Sequence, residues 1–387
     1  MPHIVYAIFL LSFHISAIAV LLLFTWRLWS NVSFWRFAKH SASSKQPQVS
    51  VLVPARNEEQ SITACVESLL RQDYPFFEVY VLDDCSTDRT GALLDNMAAQ
   101  NQKLHVIHQT QEPPEGWVGK VYACHQLAQH APGEWLLFTD ADTIHSPKSL
   151  SLGMASGQKL QVSCISALPF QQTKTWSERL FVPFILHILP IFGWDFRAQW
   201  QNKGNSIANG QYMLVNAKEY QQIGGHAAIR HALLDDFALV QQFQLHGYST
   251  ALCNGAEWLQ CRMYHNAREV WNGFAKNIML GLNNSGSEKR PAGFAALFSW
   301  GYASVFVMPW LLLFTLQWTA FIEIIWILAL YTFAAVQYKR QLAEILIFPI
   351  SALSILILGL YAILRQRQKK AIYWKGRAYA SNVLDEM

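Results

Sequence analysis

Three acidic motifs stand out in this chain: Asp83-Asp84, Asp140-Ala141-Asp142 and Asp235-Asp236. Carboxylates cannot cradle phosphate directly, because like charges repel. They can hold a hard divalent cation, which keeps several waters and accepts phosphate oxygens. A carboxylate can also take a proton from a hydroxyl as a general base. No G-x-G-x-x-G and no G-x-x-x-x-G-K-[ST] occurs, which argues against a dinucleotide or P-loop site. The six cysteines form no C-x-x-C pair and have no paired histidine spacing, so zinc and thioredoxin-like chemistry are disfavoured. They read as reduced thiols that serve packing.

The elements that must position these acids alternate. Val49, Val51 and Val53 form a buried strand that stops at Pro54. Asn57 then opens a helical pattern through Ala64 and Leu70, with Gln60 at the capping-box position. A second strand spans Glu78 to Leu82, a helix Thr87 to Gln100 and a third strand Leu104 to His108. A helix from Lys120 to Gln129 and a strand from Trp135 to Thr139 follow. Such alternation predicts a mostly parallel α/β sheet, which binds ligands beyond the carboxyl ends of its strands. Two of the acidic motifs sit at such ends. The i, i+2 spacing of Asp140 and Asp142 would put both on one face of an extended strand.

Composition sets this domain among membrane segments. Of the 387 residues 52% are hydrophobic and 14% charged, against about 25% charged in a typical soluble protein. The mean hydropathy is only +0.13, too low for a chain that spans a membrane throughout. A net charge of +4 gives no reason to invoke nucleic acid. Residues 1–28 read as an uncleaved N-terminal anchor whose basic flank (Arg27, Arg36, Lys39, Lys45) follows it, which places residue 27 onward in the cytoplasm. Residues 46–290 then form the cytoplasmic domain, 294–364 a C-terminal membrane region and 365–387 a basic tail. The membrane region divides into Phe294–Leu316, Trp318–Tyr338, which carries only Glu323, and Ile345–Leu364. Three crossings would put the basic tail outside, against the positive-inside rule. Either one segment is re-entrant or interfacial, or the tail breaks the rule, and the charge favours a cytoplasmic tail. Leu180–Trp194 is too short to span and holds Pro183 and Pro190. It reads as an interfacial segment, with a buried core helix as the alternative.

Val51–Glu59 (VLVPARNEE), Asp83–Asp88 (DDCSTD), Asp140-Ala141-Asp142 and Asp235-Asp236, in this order, resemble the membrane-bound branch of the inverting family 2 glycosyltransferases of GT-A fold. Gly116–Lys120 (GWVGK), Phe237–Leu239, Arg262–Tyr264 and the tail Trp374–Tyr379 (WKGRAY) are similar to bacterial carotenoid glycosyltransferases of the diaponeurosporenoate type and to hopanoid-associated and ceramide-type relatives. Processive members carry Q-x-x-R-W; the stretch Leu259–Met263 departs from it, which argues against a polymer-extending synthase.

The resemblance implies a GT-A α/β domain with flanking transmembrane helices, in the cell inner membrane. It further implies a UDP-sugar donor, with glucose favoured, a lipid acceptor, and Mg²⁺ or Mn²⁺ as cofactor. Asp84, helped by Asp83, would contact uracil and ribose, and Arg56 and Glu58 would line the nucleotide pocket. Asp142 would bind the cation, Asp140 would sit near ribose and metal, and Lys120 would neutralise diphosphate oxygens. Asp236 would be the general base, with Asp235 as the alternative base. Arg262 would contact diphosphate or acceptor, and Gly210-Gln211-Tyr212 would shape the acceptor side.

Singly, each motif has a plainer reading. Asp83-Asp84 could cap a helix, Asp140-Ala141-Asp142 could be a solvated turn and Asp235-Asp236 an acidic helix start. Lys120 could be a surface lysine, and Arg262 could snorkel at a membrane face. A second functional class, an inactive membrane scaffold or lipid-binding partner, would be favoured by broken acidic motifs; here they are intact.

Overall fold

A computed structural model describes residues 2–39, 46–203, 207–283, 300–313, 317–341, 343–367, 372–374 and 377–379. The chain divides into two compact units. One is drawn from residues 33–172, 194–263 and 371–387, the other from 1–32, 173–193 and 264–370. Within the expected domain span 46–290, the stretches 173–193 and 264–283 group with the apolar helices.

The first unit holds a seven-stranded sheet. Its strands are β1 (Val49–Ala55), β2 (Phe77–Asp84), β3 (Leu104–Gln109), β4 (Trp135–Phe138), β6 (Cys164–Leu168), β8 (Met213–Asn216) and β9 (Thr250–Asn254), in the order β3-β2-β1-β4-β8-β6-β9. The short strands β5 (Thr143–His145), β7 (Phe170–Gln171) and β10 (Leu259–Cys261) form a separate sheet. β1 to β4 run parallel, whereas β8 is antiparallel to both of its neighbours. The near-continuous apolar run of β1 follows from coverage on both faces, as in other parallel sheets. Leu52, Val121, Leu127, Leu214 and Leu239 are fully buried around it, each contributing about 1.5–3 kcal/mol.

This topology positions the acids. The carboxyl ends of β1, β2, β3 and β4 share one edge of the sheet. Because β8 runs the other way, with Met213 opposite Phe138, it brings its amino end and Gly210 to that same edge. After a first helix α1, Pro2–Ala38, the helix expected from Asn57 starts later, as α2, Ile62–Leu70, and Ser61 makes no side-chain cap bond. Asn57 is instead left-handed at φ 54°, a conformation its short amide tolerates. The loop 56–61 spends its backbone donors on the loop after β2: Asn57 N donates to Ser86 Oγ (3.0 Å) and Glu58 N to Thr90 Oγ1 (2.8 Å). In return Thr87 N donates to Asn57 Oδ1 (2.8 Å). The next two helices are α3, Thr90–Ala98, and α4, Gly119–His130.

Ile4–Ala38, Trp318–Gln337 and Phe348–Arg365 are the helices, among the described residues, long and apolar enough to cross a membrane. Residues 300–313 are helical with a break at Val307, while the rest of the expected segment Phe294–Leu316 lies outside the described residues. Much of Leu180–Trp194 is buried against the apolar helices. Phe184, Ile188 and Ile191 are wholly buried, and Phe184 packs on Phe306, Tyr331 and Phe348. A π-turn at Phe184–Ile188 lies where Pro190 cannot donate to the carbonyl four residues back.

Glu323, the lone acid of its apolar helix, meets His14. His14 Nδ1 lies 2.8 Å from Glu323 Oε1, while its Nε2 contacts Gln317 (3.2 Å) and Thr319 (3.1 Å). Polar contacts between apolar helices are coupled by about 0.6 kcal/mol on average and up to about 1.7. Coupling in that range is expected between His14→Ala and Glu323→Ala, read by thermal unfolding of the solubilised full chain. Strict additivity would show that the two side chains do not meet.

Candidate active site

Two clusters form along the carboxyl edge of the sheet. The first gathers around Lys120 in the opening turn of α4. Lys120 Nζ bridges Asp140 Oδ1 at 2.8 Å and Asp235 Oδ2 at 3.2 Å. Burial opposes its charge, but the two carboxylates outweigh burial and hold the ammonium well above its ordinary range. Gly210, Cys124 and His226 line the same cleft. A Cβ on Gly210 would lie 3.2 Å from Lys120 Nζ, so the backbone approaches because no side chain is there.

Asp236 is presented differently from Asp235. Both open the helix Asp235–Leu245, but Asp236 accepts backbone bonds from Gly210 N (3.0 Å) and Phe237 N (2.9 Å). Burial, reinforced by the neighbouring Asp235 carboxylate, pushes Asp236 up to about 7. A carboxyl group poised near neutrality is suited to accept a proton. The two acids thus differ in role: Asp235 neutralises a lysine, and Asp236 is the group fixed in place with a raised proton affinity.

Asp140 and Asp142 lie in a turn between β4 and β5, not in an extended strand, so the same-face expectation does not apply. Thr143 N donates to Asp140 O at 3.2 Å, closing that turn. Thr143 Oγ1 donates weakly to Asp142 Oδ1 (3.4 Å). β10 pairs with β5 so that Cys261 faces Thr143, and Arg262 is the residue that follows this pair.

The second cluster lies at the ends of β2 and β3. Asp84, 3% exposed, accepts from Gln109 Nε2 at 3.1 Å. Arg56 NH1 donates to the Asp84 carbonyl (2.8 Å) and its NH2 to Glu112 Oε1 (3.2 Å). Glu58 accepts from Ser61 Oγ at 2.7 Å and supports the loop. Asp83 is on the other face of β2, as alternation requires. It lies 3.1 Å from His108 Nδ1 and packs on Gly91, so the structure does not bring it to Asp84's cluster.

Of the expected acceptor-side residues only Gly210 borders the cleft. Gln211 is 2% exposed, accepts from Gln171 Nε2 at 2.7 Å, and donates to Cys261. Tyr212 is wholly buried, donates to Ser149 O at 3.2 Å and stands on Gly153. Its bulk fills the core behind the site and does not shape an acceptor surface.

Sequence reasoning assigned no role to Arg377 or Glu112. A short hairpin, β11 (Ile372–Trp374) with β12 (Arg377–Tyr379), carries Arg377 to Asp84. Arg377 NH1 donates to Asp84 Oδ2 (2.6 Å), NH2 to Asp84 Oδ1 (2.9 Å), and Nε to Glu112 Oε2 (2.7 Å). The WKGRAY motif marked that stretch as distinctive, but no periodicity or spacing could place it 293 residues away against Asp84.

Residues 50–223 match the family model described as Glycosyl transferase family 2. Curated relatives named 4,4'-diaponeurosporenoate glycosyltransferase, from Staphylococcus aureus strains MRSA252 and USA300, are each 25% identical over 256 residues, 65% of this chain. The match spans 65% of those relatives' length. Among solved structures, a mannosyltransferase from Pyrobaculum calidifontis in complex with GDP-Man and Mn²⁺ is similar in fold. Its TM-score is 0.50 at 18% identity, over 90% of this chain and 99% of that one. The mixed α/β sheet is of the GT-A type expected from the motifs.

Proposed function

We propose that this chain, which carries a Glycosyl transferase family 2 domain, moves a hexose from a UDP-sugar to the hydroxyl of a membrane lipid, with inversion at C1. The observation that carries the reading is Asp236, held by two backbone donors beside the Lys120 cluster and pushed up to about 7. In the reaction Asp236 accepts the acceptor's hydroxyl proton as the oxygen attacks C1 and the bond from C1 to the diphosphate breaks. Lys120 and Arg262 stabilise the charge gathering on the leaving UDP, and Asp84 and Arg56 hold its nucleoside.

The donor set at Asp140 and Asp142 fits a divalent cation of the Mg²⁺ or Mn²⁺ kind. The two acids share one turn, and no group of three or more His, Cys, Asp or Glu able to hold a metal occurs among the described residues. Such a cation is usually held by one or two carboxylates, with substrate phosphates and waters completing its shell. Asp142, with Asp140, would hold it, and it would supply charge neutralisation on the diphosphate.

A lipid acceptor is supported by the three apolar helices and by relatives named for a carotenoid acid. A carboxylate acceptor, already ionised near neutral pH, needs no base; the poised Asp236 favours a hydroxyl, on a xanthophyll, hopanoid or diacylglycerol. The basic flank at Arg27, Arg36 and Lys39 supports a cytoplasmic face for the donor site. Membranes containing the protein, given radiolabelled UDP-glucose, Mn²⁺ and host lipid extract, are expected to yield a new glycolipid one hexose heavier than its acceptor. Label entering only a water-soluble polymer would remove the lipid acceptor, and no metal-dependent consumption of UDP-sugar would remove the enzyme reading.

A further inference from the structure

Four charges close a ring at the ends of β2 and β3: Asp84, Arg56, Glu112 and Arg377. Signs alternate around it, so the ring is neutral although Asp84, Arg56 and Arg377 are 4%, 14% and 13% exposed at their side chains. Burial disfavours the guanidinium charge of Arg377, but its bonds to Asp84 and Glu112 hold that charge firmly on. Burial opposes the charge on Glu112 in turn, but Arg377 and Arg56 together keep it below the usual carboxylate range.

We infer that Arg377 is a positioning residue of the donor pocket: its planar fork fixes the Asp84 carboxylate so that one acceptor site remains for a single N–H or O–H donor of a nucleoside diphosphate. An ionised carboxylate offers about four acceptor sites. Asp84 Oδ1 accepts from Arg377 NH2 and Gln109 Nε2, and Oδ2 from Arg377 NH1, which fills three. The two-point fork also sets the plane of the carboxylate, which a lysine's point charge cannot do.

Gly119, the first residue of α4, supports the same assignment. A Cβ there would lie 1.8 Å from Arg377 NH1 and 2.9 Å from its Cζ. The start of the helix that carries Lys120 is therefore kept bare where the guanidinium passes. The inference rests on the proposed donor chemistry, because it needs a nucleotide to reach Asp84.

Gly119→Ala makes the cleanest test. It leaves all four charged residues in place, favours helix over glycine, and displaces only the flexible end of Arg377. Arg377→Ala, Arg377→Lys and Gly119→Ala are compared with wild type on the solubilised full chain, by UDP and GDP titration with Mn²⁺ and by donor kinetics. Each variant is expected to weaken nucleotide binding and raise the donor KM by about 10–100-fold, the scale lost when a group supporting a ligand-binding side chain is removed. kcat and acceptor KM should stay near wild type. Unchanged affinity in Arg377→Ala, tighter binding that marks the guanidinium as a plug, or full affinity in Arg377→Lys would each overturn the inference alone. A fall in kcat or thermal midpoint without a change in KM would show a merely structural role and overturn it too. A wild type that binds neither UDP nor GDP would overturn the donor reading, and this inference with it.

Discussion

Asp236→Asn is expected to lower kcat by about 10²–10⁴-fold, the usual contribution of a positioned general base, while UDP affinity stays near wild type. The amide keeps the shape and its single oxygen can accept from one of the two backbone donors, which bond to different Asp236 oxygens, but it cannot take a proton. The wild type should show kcat/KM rising about tenfold per pH unit below pH 7 and levelling above it, because only ionised Asp236 is active and its pKa is about 7. The variant's residual rate should lack that limb. Stability should move oppositely. A carboxyl raised from 3.8 to about 7 binds its proton more tightly folded than unfolded, so the native state loses stability as pH climbs through that window. Asp236→Asn, neutral throughout, should therefore gain on wild type in thermal midpoint from pH 4 to pH 7 and hold the gain above it. A wild-type rate flat across pH 5–8, or a variant within threefold of wild type, would move the base elsewhere, with Asp235 the next to test.

Asp142→Ala is expected to remove the dependence of UDP binding on Mn²⁺ or Mg²⁺ and to lower kcat/KM by about 10²–10³-fold. A cation at a phosphoryl oxygen contributes several kcal/mol of charge stabilisation, and each decade of rate is about 1.36 kcal/mol. Asp142 is the cleaner probe of the pair. Asp140 is engaged by Lys120 at 2.8 Å, so truncating it would also release the lysine toward Asp235. Titrating metal into wild type and Asp142→Ala at fixed UDP separates the outcomes; an identical metal response would take this carboxylate out of the cation site.

What could be read from the sequence follows its physical range. Strands of alternating or continuous apolar residues between turn signals are local patterns, and β1 to β4 lie within a few residues of their expected spans. The edge bearing the acids follows from parallel topology alone. Contacts fixed by tertiary context were not legible. Asn57 reads as a helix opener because its side chain suits a cap, yet it is left-handed and bonded to Thr87, since the loop after β2 needs its amide more. Tyr212 looks like an acceptor-side aromatic beside a glycine, but β8 turns its ring into the core toward Gly153. Asp84 is the expected main contact with Asp83 as its helper; strand alternation separates the two, and the bond from a distant arginine to Asp84 was not legible. The buried course of Leu180–Trp194 likewise depends on partners such as Phe306 and Phe348 that lie far along the chain.

The bond between Arg377 and Asp84 also imposes a parity. Two side chains 2.6 Å apart lie on one side of any bilayer, so a membrane topology is compatible with this bond only if the chain crosses an even number of times between residues 84 and 377. Trp318–Gln337 and Phe348–Arg365, the candidate spans in that interval among the described residues, would satisfy the condition as an out-and-back pair. A further full crossing near residues 300–313 would break it. With such a pair, Arg365 and Arg367 would share a side with Arg36 and Lys39, the arrangement that the positive-inside rule asks for.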